Sequence, residues 1–132
     1  MWTEAEIIMR LLTAAVLGGL IGFERWKAGK PAGIRDLALI STGAAIFTVV
    51  SSQGFFGGDP SRIAAGIVTG VGFLGAGAIL HRDSGGVKGL TTATSIWIVA
   101  GLGLAVGAGL YYVALAATAI SLLVLWLISE DN

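Results

Sequence analysis

The stretch Asp59–Thr92, DPSRIAAGIVTGVGFLGAGAILHRDSGGVKGLTT, decides how the whole chain is read. It opens on an acid, a proline and an arginine, and then runs through an apolar segment studded with glycines. It closes on a short basic loop that ends in paired threonines. An uncharged run of about twenty residues is the length needed to cross a hydrocarbon core of about 30 Å. The segment between the two polar ends therefore reads as a membrane span, and the other apolar segments of the chain are expected to pack around it.

Composition supports that reading over the full length. Of the 132 residues, 55% are hydrophobic and 12% charged, whereas a soluble domain carries about 25% charged residues. Mean hydropathy is +0.88. Apolar runs of spanning length recur, so the expectation is an all-α polytopic membrane protein: one transmembrane domain over 1–132. Its spans are expected at about 7–23, 37–56, 61–80, 90–106 and 110–128. The acidic N-terminus, Met1-Trp2-Thr3-Glu4-Ala5-Glu6, lacks a cleavage pattern, and the first run is expected to be a retained span.

Several function classes are excluded. Net charge is zero and no basic tail is present, so nucleic acid is not expected as a partner. The absence of cysteine removes disulfides, thiolate metal sites and cysteine nucleophiles together. No Ser–His or HExxH arrangement is present, and an enzyme is not expected. Gly70-Val71-Gly72-Phe73-Leu74-Gly75 matches a dinucleotide fingerprint, but it sits inside a span with no strand before it. No cofactor is expected.

Charge in the connections sets an expected orientation. Arg25, Lys27, Lys30 and Arg35 cluster in the first connection, and Arg82 and Lys88 in the third. The positive-inside bias puts both in the cytoplasm, with the N-terminus outside and the C-terminus inside. Trp97 falls two turns into the fourth span, and the sequence gives no account of it.

Glycines recur at four-residue spacing: Gly18 and Gly22, Gly66 and Gly70, Gly103 and Gly107. Small residues at this spacing let helices approach closely in lipid. Such faces also make a homodimer, or contact with another membrane protein, the expected partner mode within membrane lipid. A faint repeat aligns Leu17–Arg25 with Leu74–Arg82, each followed by a basic loop.

The polar positions admit a structural and a functional reading. Thr3 is placed to cap the first helix with Glu6 in a capping box, and Arg10 to pair with Glu6 or to reach outward. Asp59 is placed to cap the third helix, with Pro60 at its first position and Arg62 three residues on for an ion pair; the alternative is an Asp59–Arg62 ligand site. Glu24 and Arg25 read as an interfacial pair or, if Glu24 points inward, as a functional site. Arg35 faces the same choice. Thr91, Thr92, Thr94 and Ser95 either bond to their own helix carbonyls or line a polar pocket. His81, beside Arg82 and Asp83, reads as solvated. The candidate binding residues are thus Glu24, Arg25, Arg35, Asp59, Arg62, Thr91 and Thr92.

Taken together, the motifs Ile21-Gly22-Phe23-Glu24-Arg25, Ala32-Gly33-Ile34-Arg35 and Asp59-Pro60-Ser61-Arg62-Ile63-Ala64-Ala65 resemble the MgtC/SapB family. So do Gly72-Phe73-Leu74-Gly75-Ala76-Gly77 and Val87-Lys88-Gly89-Leu90-Thr91-Thr92-Ala93. The resemblance runs in matching order from about Leu17 to Gly107. It implies a bacterial inner-membrane protein linked to magnesium limitation and to virulence. It also implies a regulatory role, since the best-studied member is thought to restrain the membrane sector of the F-type ATP synthase. That member resembles this domain followed by a soluble one, which is not expected in this sequence. A small-ion channel or transporter is the other class that the terminal charges suggest.

Overall fold

The computed structural model describes residues 1–81 and 85–128. Within them the chain forms five helices: α1 (Glu4–Lys27), α2 (Ile34–Gln53), α3 (Ser61–Ala78), α4 (Leu90–Gly107) and α5 (Tyr111–Leu127). The first four are long and apolar enough to cross a membrane, and α5 is a shorter apolar helix. They alternate in direction, so one end of the bundle carries Trp2, Arg10, Gln53 and Asp59. The opposite end carries Arg25, Gly33 and Thr91.

Local chemistry explains the boundaries. Thr3 Oγ1 accepts the Glu6 N–H at 3.2 Å and caps α1, which is the Thr3 half of the expected capping box. At the other end Gly29 takes φ +74, Lys30 N–H reaches Arg25 O and Gly29 N–H reaches Trp26 O. This doubled closure satisfies carbonyls that the helix leaves orphaned. The α4–α5 reversal repeats it: Gly109 at φ +87, Leu110 N–H to Ala105 O, Gly109 N–H to Val106 O. Gly33 starts α2, where the Asp36 carboxylate accepts its N–H at 3.2 Å.

The third span ends earlier than the expected Leu80. Helix α3 stops at Ala78, Ile79 turns extended, and the chain forms a two-residue antiparallel pair, β1 (Leu80–His81) with β2 (Val87–Lys88). Gly89 then begins α4 at φ +91, so close to the Ala78 carbonyl that a Cβ could not be accommodated. The same break limits the repeat: Gly22–Arg25 is helical, whereas Ile79–His81, aligned with Gly22–Glu24, is not. The fingerprint glycines lie wholly within α3, with no strand before them.

Helix α4 is the centre of the bundle and packs against all four others. Its outward-facing residues form one narrow stripe, Leu90, Thr94, Trp97 and Gly101, and this accounts for Trp97 as a side chain turned away from the core. Two of the three glycine pairs make the core contacts. A Cβ on Gly18 would lie 2.6 Å from Leu37 O and from Ser41 Cβ, and one on Gly22 2.6 Å from Ile34 Cα. Gly103 abuts the Ser41 carbonyl, and a Cβ on Gly107 would lie 2.8 Å from Thr48 Cβ. Ile21, Leu37, Val99, Leu102 and Val106 fill the crossing of α1, α2 and α4. The third pair behaves differently: Cβ atoms on Gly66 and Gly70 would meet nothing within 4 Å. Helix α3 buries only Val71 and Gly75 among its residues, and it docks mainly on α4.

Candidate functional site

The end of the bundle that holds the α1 C-terminus carries most of the charged candidates. Arg25 is 2% exposed, and its Nε donates to Glu24 Oε2 at 2.8 Å. Nη2 donates to Glu24 Oε1 at 3.3 Å, completing a forked ion pair. Adjacent helix positions do not face one another, so the two side chains curl together, with Arg25 on the inner side and Glu24 partly exposed. The inward-pointing member is thus the arginine and not the glutamate. A cation buried near a helix end in a membrane bundle is costly, and its pairing is what makes it tolerable.

Arg35 is exposed at the start of α2 and Asp36 closes the helix start, so neither joins that pair. Thr91 is half-buried, and its carbonyl accepts from Thr94 Oγ1 and Ser95 Oγ, each at 2.8 Å. These two hydroxyls take the helix-bonding role foreseen for them. Thr92 is 2% exposed at the base of α4. Arg82 and Asp83 lie outside the described residues, as does the side chain of His81.

Asp59 and Arg62 lie at the opposite end. Asp59 Oδ1 accepts from Ser61 N at 3.0 Å and from Ser61 Oγ at 2.8 Å. The expected Asp59–Arg62 ion pair does not form: the acid is engaged by Ser61, and Pro60 rather than Asp59 is the residue flanking the helix. The hydroxyl of Ser61, and then its N–H, hold the Asp59 carboxyl below the usual carboxylate range. Arg62 is exposed and lines a cleft between α2 and α3. The seven candidates therefore fall into two groups at opposite ends, and no single site uses them all.

Arg10 has partners that its place in the sequence does not reveal. Its guanidinium lies 3.5 Å from the Trp2 ring centroid, and Nη1 donates to Gly107 O at 2.9 Å. It thereby ties α1 to the end of α4, not to Glu6. Gly109 permits this, since a Cβ there would stand 3.2 Å from both terminal guanidinium nitrogens. Trp2 N–H adds a bond to Gln53 Oε1 at 3.1 Å. The available signal was an arginine inside a span with an aromatic two turns earlier, a spacing that permits a cation–π contact. Among the described residues no cluster of three or more metal-ligating side chains occurs.

These features define a multi-pass α-helical membrane protein, with a glycine-packed centre and its charged groups confined to the two ends. The chain belongs to the MgtC family, whose model matches residues 11–131. It is 48% identical over 129 residues to "Putative magnesium transporter YhiD" of Escherichia coli K12, covering 92% of this chain and 60% of that protein. It is 50% identical over 115 residues to "Protein MgtC" of Salmonella typhimurium LT2, covering 87% of this chain and 49% of that protein. An uncharacterized protein of Haemophilus influenzae is 42% identical over 121 residues, covering 85% of this chain and 51% of that protein. The chain thus spans about half to three-fifths of the length of these relatives. No solved structure matches it.

Proposed function

We propose that this chain is a non-enzymatic regulatory protein of the bacterial inner membrane that acts by binding other membrane proteins. The observation that carries the reading is the closure of the bundle centre. Ile21, Leu37, Val99 and Val106 are fully buried where α1, α2 and α4 cross. The buried hydroxyls of Thr48 and Thr118 bond to their own helices, at 2.7 Å in each case. A tight apolar crossing favours a protein that works through its surface over one that passes ions through its middle.

Helix α3 is the proposed contact element. Beyond Val71 and Gly75 it is largely uncovered: Phe73 (81% exposed) stands on its outward side, and Val68 (50%) lies at the edge of the face that docks on α4. Aromatic and aliphatic side chains on a bare helix suit a partner helix in the membrane, including a second copy of the chain. The basic cluster Arg25, Lys27, Lys30 and Arg35 supports an orientation with that connection in the cytoplasm and the N-terminus outside. Family membership supports a setting of magnesium limitation and virulence, with the membrane sector of the F-type ATP synthase as the candidate partner.

The test places a photo-crosslinking amino acid at Val68 or Phe73 in cells. A specific membrane-protein adduct, absent from a probe at the buried Val99, is the expected result. A chain that yields no adduct from either position contradicts the reading. The printed name of the Escherichia coli relative and the Glu24–Arg25 pair, with Arg25 buried and Glu24 partly exposed, favour a second reading, a small-ion transporter. Its mark is flux that depends on Glu24.

A further inference from the structure

A cleft of about 600 Å³ runs between α2 and α3. Leu39 and Phe47 wall it on one side, Gly66, Gly70 and Leu74 on the other, and Arg62 is its one charged lining residue. A Cβ on Gly43, Gly66 or Gly70 would meet nothing within 4 Å, so the glycines widen the groove and are not used to close it. Arg62 has no ion pair among the described residues, and the nearest acid in sequence, Asp59, is engaged by Ser61.

The length of the groove and its one charged end point to an occupant. From Arg62 to Leu74 the groove follows twelve helix positions, about 18 Å at 1.5 Å per residue. That is close to one leaflet of a hydrocarbon core about 30 Å thick. An open apolar groove about one leaflet long, with a guanidinium at its polar end, matches an acyl chain topped by a phosphate. Arginine's planar fork suits phosphate oxygens and, unlike lysine, pairs with them bidentately.

We propose that the α2–α3 groove holds one anionic phospholipid, with its acyl chain along Gly66 and Gly70 and its phosphate on Arg62. Phe73, three residues from Gly70 and seven from Gly66, borders this groove, so the lipid and a partner helix would meet along that edge of α3. The reading of the chain as a regulator does not depend on this site.

Native mass spectrometry of the chain, purified from bilayers of equimolar phosphatidylglycerol and phosphatidylethanolamine, tests the proposal. The expected result is one retained phosphatidylglycerol per chain. Retention should fall about tenfold in R62Q, be partly restored in R62K and disappear in G70L, which fills the slot. G72L, on the far side of α3, should retain the lipid. Three results would overturn the proposal: equal retention of both lipids, retention unaffected by R62Q and G70L, or a monomer–dimer shift in G70L without change in lipid. The last would make a second copy the occupant. R62Q alters an exposed side chain, so it provides a folded variant even if G70L fails to assemble.

Discussion

At the scale of single residues, the Glu24–Arg25 pair carries the clearest energetic consequence. Loss of Glu24 removes the carboxylate that Arg25 Nε and Nη2 bond, at a cost below that of a fully buried pair, about 3–5 kcal/mol, because Glu24 is partly exposed. Glu24→Gln is therefore expected to lower the unfolding midpoint in detergent. The double change Glu24→Gln with Arg25→Met should recover most of the loss, and thermal melts of the two variants check this. Asp59 makes a prediction of the opposite kind, since it is exposed and its effect is on titration. Ser61 holds the folded carboxyl below its unfolded value. The contribution of this turn is thus complete above the unfolded pKa and lost as pH falls through the folded one. Ser61→Ala should move the Asp59 titration, followed by NMR, up toward the ordinary carboxylate range. An unchanged titration would show that the hydroxyl is not the cause.

At the scale of elements, the glycines separate into those that close the bundle and those that leave it open. Gly103→Ala forces a methyl onto the Ser41 carbonyl and should destabilise by about 1–3 kcal/mol or more. Gly72→Ala meets nothing within 4 Å and should be neutral, or stabilising by up to about 1 kcal/mol through helix propensity. Gly109→Ala, at φ +87 beside Arg10, should cost about 1–2 kcal/mol. Equal melting points for Gly103→Ala and Gly72→Ala would refute this division. The sequence made the helices legible because their apolar lengths and glycine turns are local signals; Thr3, Gly29 and Gly109 act through neighbours a few residues away. It left the glycine pairs alike, because which pair meets a neighbour depends on how α2 and α3 diverge. The β1–β2 pair was missed for a related reason: Ile79-Leu80 continues an apolar run, and only Gly89 packed on Ala78 shows why the helix cannot continue. Arg10 was visible as a charge in a span, yet its acceptor, Gly107 O, lies 97 residues away in sequence.

At the scale of the whole molecule, a dense three-helix crossing of α1, α2 and α4 supports a loosely held α3 whose flanks face outward. The two groups of charged residues sit at opposite ends of this arrangement, with a close-packed layer between them that holds the buried hydroxyls of Ser41, Thr48 and Thr118. The chain contains no cysteine, so single introduced cysteines at Thr3 and Lys30 report sidedness without background. Impermeant labelling of intact cells should modify position 3 and spare position 30; the reverse pattern would invert the proposed orientation. The most direct test of a closed bundle acting through its surface is magnesium flux into proteoliposomes holding the purified chain. The account predicts uptake no greater than in protein-free vesicles, and no difference between the native chain and Glu24→Gln. Uptake by the native chain that Glu24→Gln abolishes would contradict it.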